Sequence, residues 1–187
     1  MKKLSILICS LIKRDYLLQR LLNGLNPQVI PYNDSVEILI NSDTGEKTIG
    51  KKRNELILKA TGDYICFVDD DDLVSNDYVQ KVLSAISSRP DCCGIEGMIT
   101  FDGSNPKKFV HSNKYKTWFE SRGVYYRNPN HLNPVKREYA TRVGFPEISR
   151  GEDRIYSERI LPFLKTERYI IGTIYRYLYS EGKNYWR

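Results

Sequence analysis

Four adjacent aspartates, Asp69, Asp70, Asp71 and Asp72, follow the apolar run Ile65-Cys66-Phe67-Val68. Side by side, four anions repel one another, and desolvating them is costly. A divalent cation held between them would remove much of that cost, and carboxylate oxygens suit Mg²⁺ or Mn²⁺. The other reading is a solvated acidic turn that caps the next helix, and the run alone leaves both open. A calcium-binding EF-hand loop is excluded, because its ligand spacing and required glycine are absent after Asp69. A second acidic pair, Glu152-Asp153, stands behind Gly151. Ile155, Arg159 and Ile160 predict a helix that begins near this pair. A carboxylate there can serve as a general base or simply favour the first turn of a helix.

The elements that position these groups are legible from hydrophobic patterning. Ile65 to Val68 reads as a buried strand, so the carboxylates stand where it stops. Leu4 to Leu11 reads as the first buried strand and carries Ser10 to its end. Leu17, Leu18, Leu21, Leu22 and Leu25 then recur at helical spacing behind Asp15, a suitable cap, and Asn26-Pro27 is expected to end that helix. Val36 to Ile40 predicts a second strand, running into the polar Asn41-Ser42-Asp43-Thr44-Gly45. A helix from about Gly50 to Ala60 opens with Lys51-Lys52-Arg53-Asn54, and a basic helix start is favourable anion chemistry. For Lys51 and Lys52 a solvated helix face is an equal alternative. Ser75 or Asn76 is expected to open a third helix, with Tyr78, Val79, Val82, Leu83 and Ile86 on its buried face. Alternating strand and helix argues for an α/β fold with a parallel, right-handed sheet. Ligands bind such sheets beyond the carboxyl ends of the strands, where Ser10, Asp43 and the aspartate run all fall.

The second half loses the alternation. Gly94 to Phe101 reads as a strand, Asp102-Gly103 as a hairpin turn, and Lys107 to Val110 as the returning strand. Tyr115, Trp118, Phe119, Tyr125 and Tyr126 form an aromatic region suited either to packing on the sheet or to stacking on a substrate. Arg127 to Pro134 is expected to be a loop that holds His131, Lys136 to Val143 a short helix, and Tyr169 to Tyr179 a strand. Pro162 should end or kink the late helix.

Composition bounds the rest. A chain of 187 residues, 41% hydrophobic and 28% charged, is long enough for one globular domain with a sizeable core. The net charge of +6 favours anionic partners such as nucleotides and phosphates. No nucleic-acid-binding motif is present, and no nucleic-acid partner is expected. The four cysteines show no Cys-x-x-Cys spacing, which points to core thiols and a reducing, cytoplasmic compartment. The apolar stretch after Met1-Lys2-Lys3 lacks a small-residue cleavage site and reads as a strand. Peripheral contact with a membrane stays open.

Taken in order, four blocks resemble the family-2 glycosyltransferases of GT-A fold. They are Leu4 to Ser10, Val36 to Gly45, Gly62 to Asp72, and Gly151-Glu152-Asp153 followed by Arg159. The resemblance implies a single GT-A domain over 1–187, with a Rossmann-like nucleotide-sugar half (1–100) and an acceptor and catalytic-base half (101–187). Its sheet would be mixed, mainly parallel and flanked by helices. The implied reaction is a metal-dependent, inverting transfer from a nucleotide-diphospho-sugar, UDP-linked by resemblance, to a hydroxyl of a glycan or glycoconjugate. Carried over position by position, Ser10, Asp43, Arg53, Asn54, Asp69 and Asp70 would bind the nucleotide-sugar. Asp71 and Asp69 would bind Mn²⁺ or Mg²⁺. Asp153 would be the base with Glu152 beside it, and His131 and Arg159 would face the acceptor. A metal-dependent nucleotidyltransferase is the alternative enzyme, and a non-catalytic nucleic-acid-binding domain the alternative of another class.

Overall fold

The protein is described by a computed structural model over residues 2–179. The strands are β1 (Leu4–Leu11), β2 (Val36–Asp43), β3 (Tyr64–Phe67), β4 (Leu73–Val74), β5 (Cys92–Phe101), β6 (Ser104–His111), β7 (Phe119–Ser121), β8 (Val124–Arg127), β9 (Val135–Lys136) and β10 (Glu167–Tyr179). The helices are α1 (Asp15–Val29), α2 (Ile49–Lys59), α3 (Tyr78–Ile86), α4 (Arg137–Val143) and α5 (Glu152–Ile160). The strands form one mixed sheet in the order β2-β1-β3-β9-β5-β6-β8-β7, with β10 pairing β5 and β4. The expected α/β class and the layered arrangement of sheet and helices are as observed.

β1 is buried along its whole length and runs parallel to both β2 and β3. Its side chains alternate between two cores. Leu4, Ile6 and Ile8 meet Leu18, Leu21 and Leu25 of α1 and Val79, Val82 and Ile86 of α3. Leu7 and Cys9 face the other way, toward Leu56 and Ile57 of α2, Ala140 of α4, and Tyr156 and Ile160 of α5. This two-sided burial explains why β1 and β3 read as continuous apolar runs. The parallel register sets Ser10 beside Ser42 and Leu11 beside Asp43, so the polar strand ends share one rim.

The β5–β6 hairpin forms as expected, with Asp102 at φ 49° and Gly103 at φ 77°, the two positive φ angles of a tight primed turn. At Gly50 a Cβ would sit 1.9 Å from the Pro146 carbonyl oxygen, so only glycine lets α2 approach the segment leading to α5 this closely. The Gly50 N–H also donates to the Ile148 carbonyl.

Three local expectations are corrected. α1 does not stop at Asn26-Pro27 but runs to Val29 with Pro27 inside it. Pro27 lies in the exposed last turn, where solvent can reach the Asn23 carbonyl that its missing N–H leaves without a helical donor. Asp15 is the first helical residue rather than a cap; Arg14 holds the cap position without a capping side chain. α3 is entered at Asp77, not at Ser75 or Asn76; Ser75 Oγ instead donates to the Asp77 carboxylate. All four cysteines are free and buried. Among the described residues no helix is long and apolar enough to cross a membrane. The polar tail from Glu181 to Arg187 lies outside the described residues.

Candidate active site

Beyond the carboxyl ends of β1 and β3 lies a cleft of about 360 Å³, walled by the aspartate run, the 130–132 loop, the start of α5 and the end of β10. The four aspartates are sharply unequal. Asp69 Oδ2 lies 3.2 Å from His131 Nε2, and its Oδ1 lies 3.3 Å from Arg53 Nη2. Burial works against its charge, but His131, Arg53 and Arg14 outweigh it and hold the carboxyl well below the usual range. Asp70 is buried; Ser10 Oγ donates to it at 2.6 Å and Arg14 Nη2 approaches it at 2.5 Å. Burial, together with the charges of Asp71 and Asp69, pushes Asp70 up to about 6. The same Arg14 nitrogen lies 2.8 Å from Asp71, so one guanidinium bridges two neighbouring carboxylates.

Asp72 fits neither reading of the run, metal ligand or solvated turn. It is no exposed turn cap but fully buried, accepting from Tyr175 Oη and from the Leu178 N–H, both at 2.8 Å. Burial and the charges of Asp69 and Asp71 raise it well above the usual carboxylate range. Tyr175 Oη also accepts from the Asp69 N–H at 3.1 Å. β10 thus latches the underside of the run, leaving Asp69, Asp70 and Asp71 to line the cleft.

Arg53 joins this wall to the second acidic pair. It projects from α2, is 2% exposed, and reaches Glu152 Oε1 at 2.9 Å while touching Asp69. Its guanidinium lies over the rings of Phe67 and Phe145, at 5.5 and 5.2 Å. Gly151, at φ 76°, turns the chain into α5. Glu152 therefore points inward, where burial and the Asp153 charge raise its pKa against the pull of Arg53. Asp153 is only part-buried and lines the cleft; its Oδ1 accepts from the Arg154 N–H.

The sequence-predicted residues therefore divide. Asp69, Asp70, Asp71, Arg53, His131, Glu152 and Asp153 converge on the cleft. Ser10 supports it from below through Asp70. Asp43 stands at the same rim but outside the lining, paired with Lys52 Nζ at 2.6 Å. Asn54 holds the backbone of Phe145 through its Oδ1 and Nδ2, and it is absent from the lining. Arg159 is on the exposed side of α5. Sequence reasoning missed Arg14, which follows the first strand directly, and Tyr175, one of many tyrosines in a predicted strand. Lys52, for which a solvated helix face is an equal expectation, is instead buried and donates to the Ser10 carbonyl.

Among the described residues no three His, Cys, Asp or Glu side chains form a ready-made metal centre. The donor chemistry nevertheless suits a hard divalent cation, since Asp69 and Asp71 offer carboxylate oxygens to the cleft and Asp71 is already matched by a cation, Arg14.

A sequence model of glycosyl transferase family 2 matches residues 28–144. No curated protein sequence is significantly similar to this one. Among solved structures, S. aureus TarS 1-349 in complex with UDP-GlcNAc superposes with a TM-score of 0.70 at 16% identity, covering 98% of this chain and 60% of that one. The mannosyltransferase PcManGT from Pyrobaculum calidifontis, in complex with GDP-Man and Mn²⁺, gives 0.62 at 14%, covering 97% and 58%. These likenesses show a shared fold, and the chain spans about 60% of the length of the TarS fragment.

Proposed function

The chain belongs to glycosyl transferase family 2, and from that premise we propose that it transfers a sugar from a nucleotide-diphospho-sugar to an acceptor hydroxyl in this cleft, with inversion. The observation that carries the proposal is the single cleft in which Asp69, Asp70 and Asp71 face Glu152 and Asp153, with Arg53 tying the two acidic groups together. The fold neighbours were solved with UDP-GlcNAc and with GDP-Man, which supports a nucleotide-sugar donor. A UDP-sugar is the donor we favour.

In this reading the acceptor hydroxyl gives its proton to Asp153 as its oxygen attacks the anomeric carbon. The sugar–phosphate bond breaks on the opposite face, and its electron pair leaves with the nucleoside diphosphate. No covalent sugar–enzyme intermediate is required. Glu152, fixed by Arg53, holds the first turn of α5 so that Asp153 faces the cleft. Ser10 and Asp43 would border the nucleotide base from the ends of β1 and β2. Asp71 and Asp69 would hold Mn²⁺ or Mg²⁺, which as a Lewis acid stabilises charge on a departing phosphate. His131 would orient bound sugar from its place beside Asp69. Asn54 and Arg159 act at most through the scaffold, given where they lie. The acceptor would be a glycan or glycoconjugate, reached in the cytoplasm or at a membrane face.

The test is thermal unfolding with UDP- and GDP-sugars, with and without Mn²⁺, on the wild-type chain and on Asp153→Asn. A donor should raise the Tm of both proteins, while Asp153→Asn loses transfer by about 100- to 10,000-fold. Absence of any nucleotide-sugar stabilisation would overturn the reading. Full sugar transfer by Asp153→Asn would remove Asp153 as the base, and nucleotidyl transfer without sugar transfer would return the site to a nucleotidyltransferase.

A further inference from the structure

Arg127 ends β8 and lines the cleft together with Asp153. Its guanidinium carbon lies over the Trp118 ring, 4.3 Å from the centroid, so the ring covers one side of the cation. Among the described residues no carboxylate comes within ion-pair distance of it, in contrast to Arg14 and Arg53. Asp153 acts on it only through space, and burial weakens its hold on its proton. A half-buried cation without a counter-ion is costly, and an anion brought by a ligand removes that cost. Three residues further, Asn130 also lines the cleft; it is 1% exposed, and its Nδ2 has no hydrogen-bond partner among the described residues.

The position of Arg127 says which ligand would bring the anion. The aspartate wall, where a donor's diphosphate would arrive, already has its cations. Arg127 shares the other part of the cleft with the candidate base. Resting on the reading above, we propose that Arg127 is an anion-binding residue of the acceptor subsite, and that the acceptor carries a phosphate or carboxylate near the hydroxyl presented to Asp153. Arg127 would grip that group with its planar fork, held in place by Trp118, with Asn130 as a second donor.

Trp118 supplies the signal. In a Trp186→Phe background its fluorescence is followed while inorganic phosphate, glycerol 3-phosphate, glucuronate or neutral glycerol is titrated, first alone and then with saturating UDP and Mn²⁺. An anionic probe should change the emission and neutral glycerol should not; phosphate and glucuronate arms distinguish the two anion classes. Arg127→Gln should weaken the anionic probe at least about tenfold and leave UDP affinity unchanged. Arg127→Lys, which keeps the charge, should fall between and shows that the site still folds. Equal probe affinity in Arg127→Gln, or no response in the wild type, overturns the proposal. A loss of UDP affinity in Arg127→Gln reassigns the residue to the donor. If the wild type takes up no UDP but binds the anion through Arg127, the donor reading fails while the anion site stands.

Discussion

On the wall built from β1, β3 and α2, the chain matches its own charges: Arg14 bridges Asp70 and Asp71, and Arg53 and His131 hold Asp69. On the wall built from β8 and the exposed side of α5, Arg127 and Asp153 are close enough to influence each other but form no ion pair. The first wall has its charges paired before any ligand arrives. The second leaves a carboxylate and a cation without an ion pair between them. The difference follows from the work each wall is proposed to do. Leaving-group chemistry needs charge held in fixed geometry, whereas a base must stay free to accept a proton.

The comparison is broken most forcefully at Arg53. Arg53→Met leaves Glu152 buried without its cation and takes one from Asp69, which should cost about 3–5 kcal/mol by urea denaturation. Arg127→Gln strips a cation that has no ion partner, so its cost should stay near the about 0.5–1 kcal/mol of its contact with Trp118. If the two variants lose similar stability, the two walls do not differ in the way described.

The sequence made the first wall visible and hid the reasons for it. Apolar runs ending in Ser10, Asp43 and the aspartates placed three strand ends at one rim, because β1 and β3 are buried on both faces and so are predominantly apolar. The Asp102-Gly103 turn was equally legible, since a tight hairpin demands positive φ there. The partners were not legible. Arg53 and Glu152 are 99 residues apart, and Asp72 and Tyr175 are 103 apart. Nothing local announces such contacts. Asn54 shows the converse: at a matched motif position, its side chain holds the Phe145 backbone, a contact the motif does not announce. Pro27 misled because a proline stops a helix only where the lost hydrogen bond cannot be replaced or left in solvent.

A smaller effect is expected at Arg14, where the self-matching of the first wall competes with metal. Arg14 sits against Asp71, one of the two carboxylates proposed to hold a divalent cation, and against its neighbour Asp70. Arg14→Gln should therefore bind Mn²⁺ about tenfold more tightly, read by Mn²⁺ electron paramagnetic resonance and by a larger Mn²⁺-induced rise in Tm. Weaker Mn²⁺ binding would mean that Arg14 positions the carboxylates for the ion and does not compete with it.

The least effect is expected at a self-satisfied carboxylate away from the cleft. Asp91 Oδ1 accepts from Lys136 Nζ at 2.8 Å, and its Oδ2 accepts from the N–H groups of Lys165 and Thr166 at 2.9 and 2.8 Å. Burial opposes its charge, but Lys136 and Thr166, then Lys165, outweigh it and lower the carboxyl to about 2 from the usual 3.8. The folded chain thus surrenders this proton more readily than the unfolded one. The stabilisation is complete above about pH 4 and is lost as pH falls toward 2. Asp91→Asn should lower the urea midpoint at neutral pH, and its deficit against the wild type should shrink between about pH 4 and pH 2. Because Asp91 is bound wholly by the chain itself, a nucleotide-sugar at neutral pH should raise the stability of both proteins by the same amount. A smaller rise in Asp91→Asn would show that this anchor between β5 and β10 also shapes the ligand wall, and the separation between fixed frame and open wall would fail there.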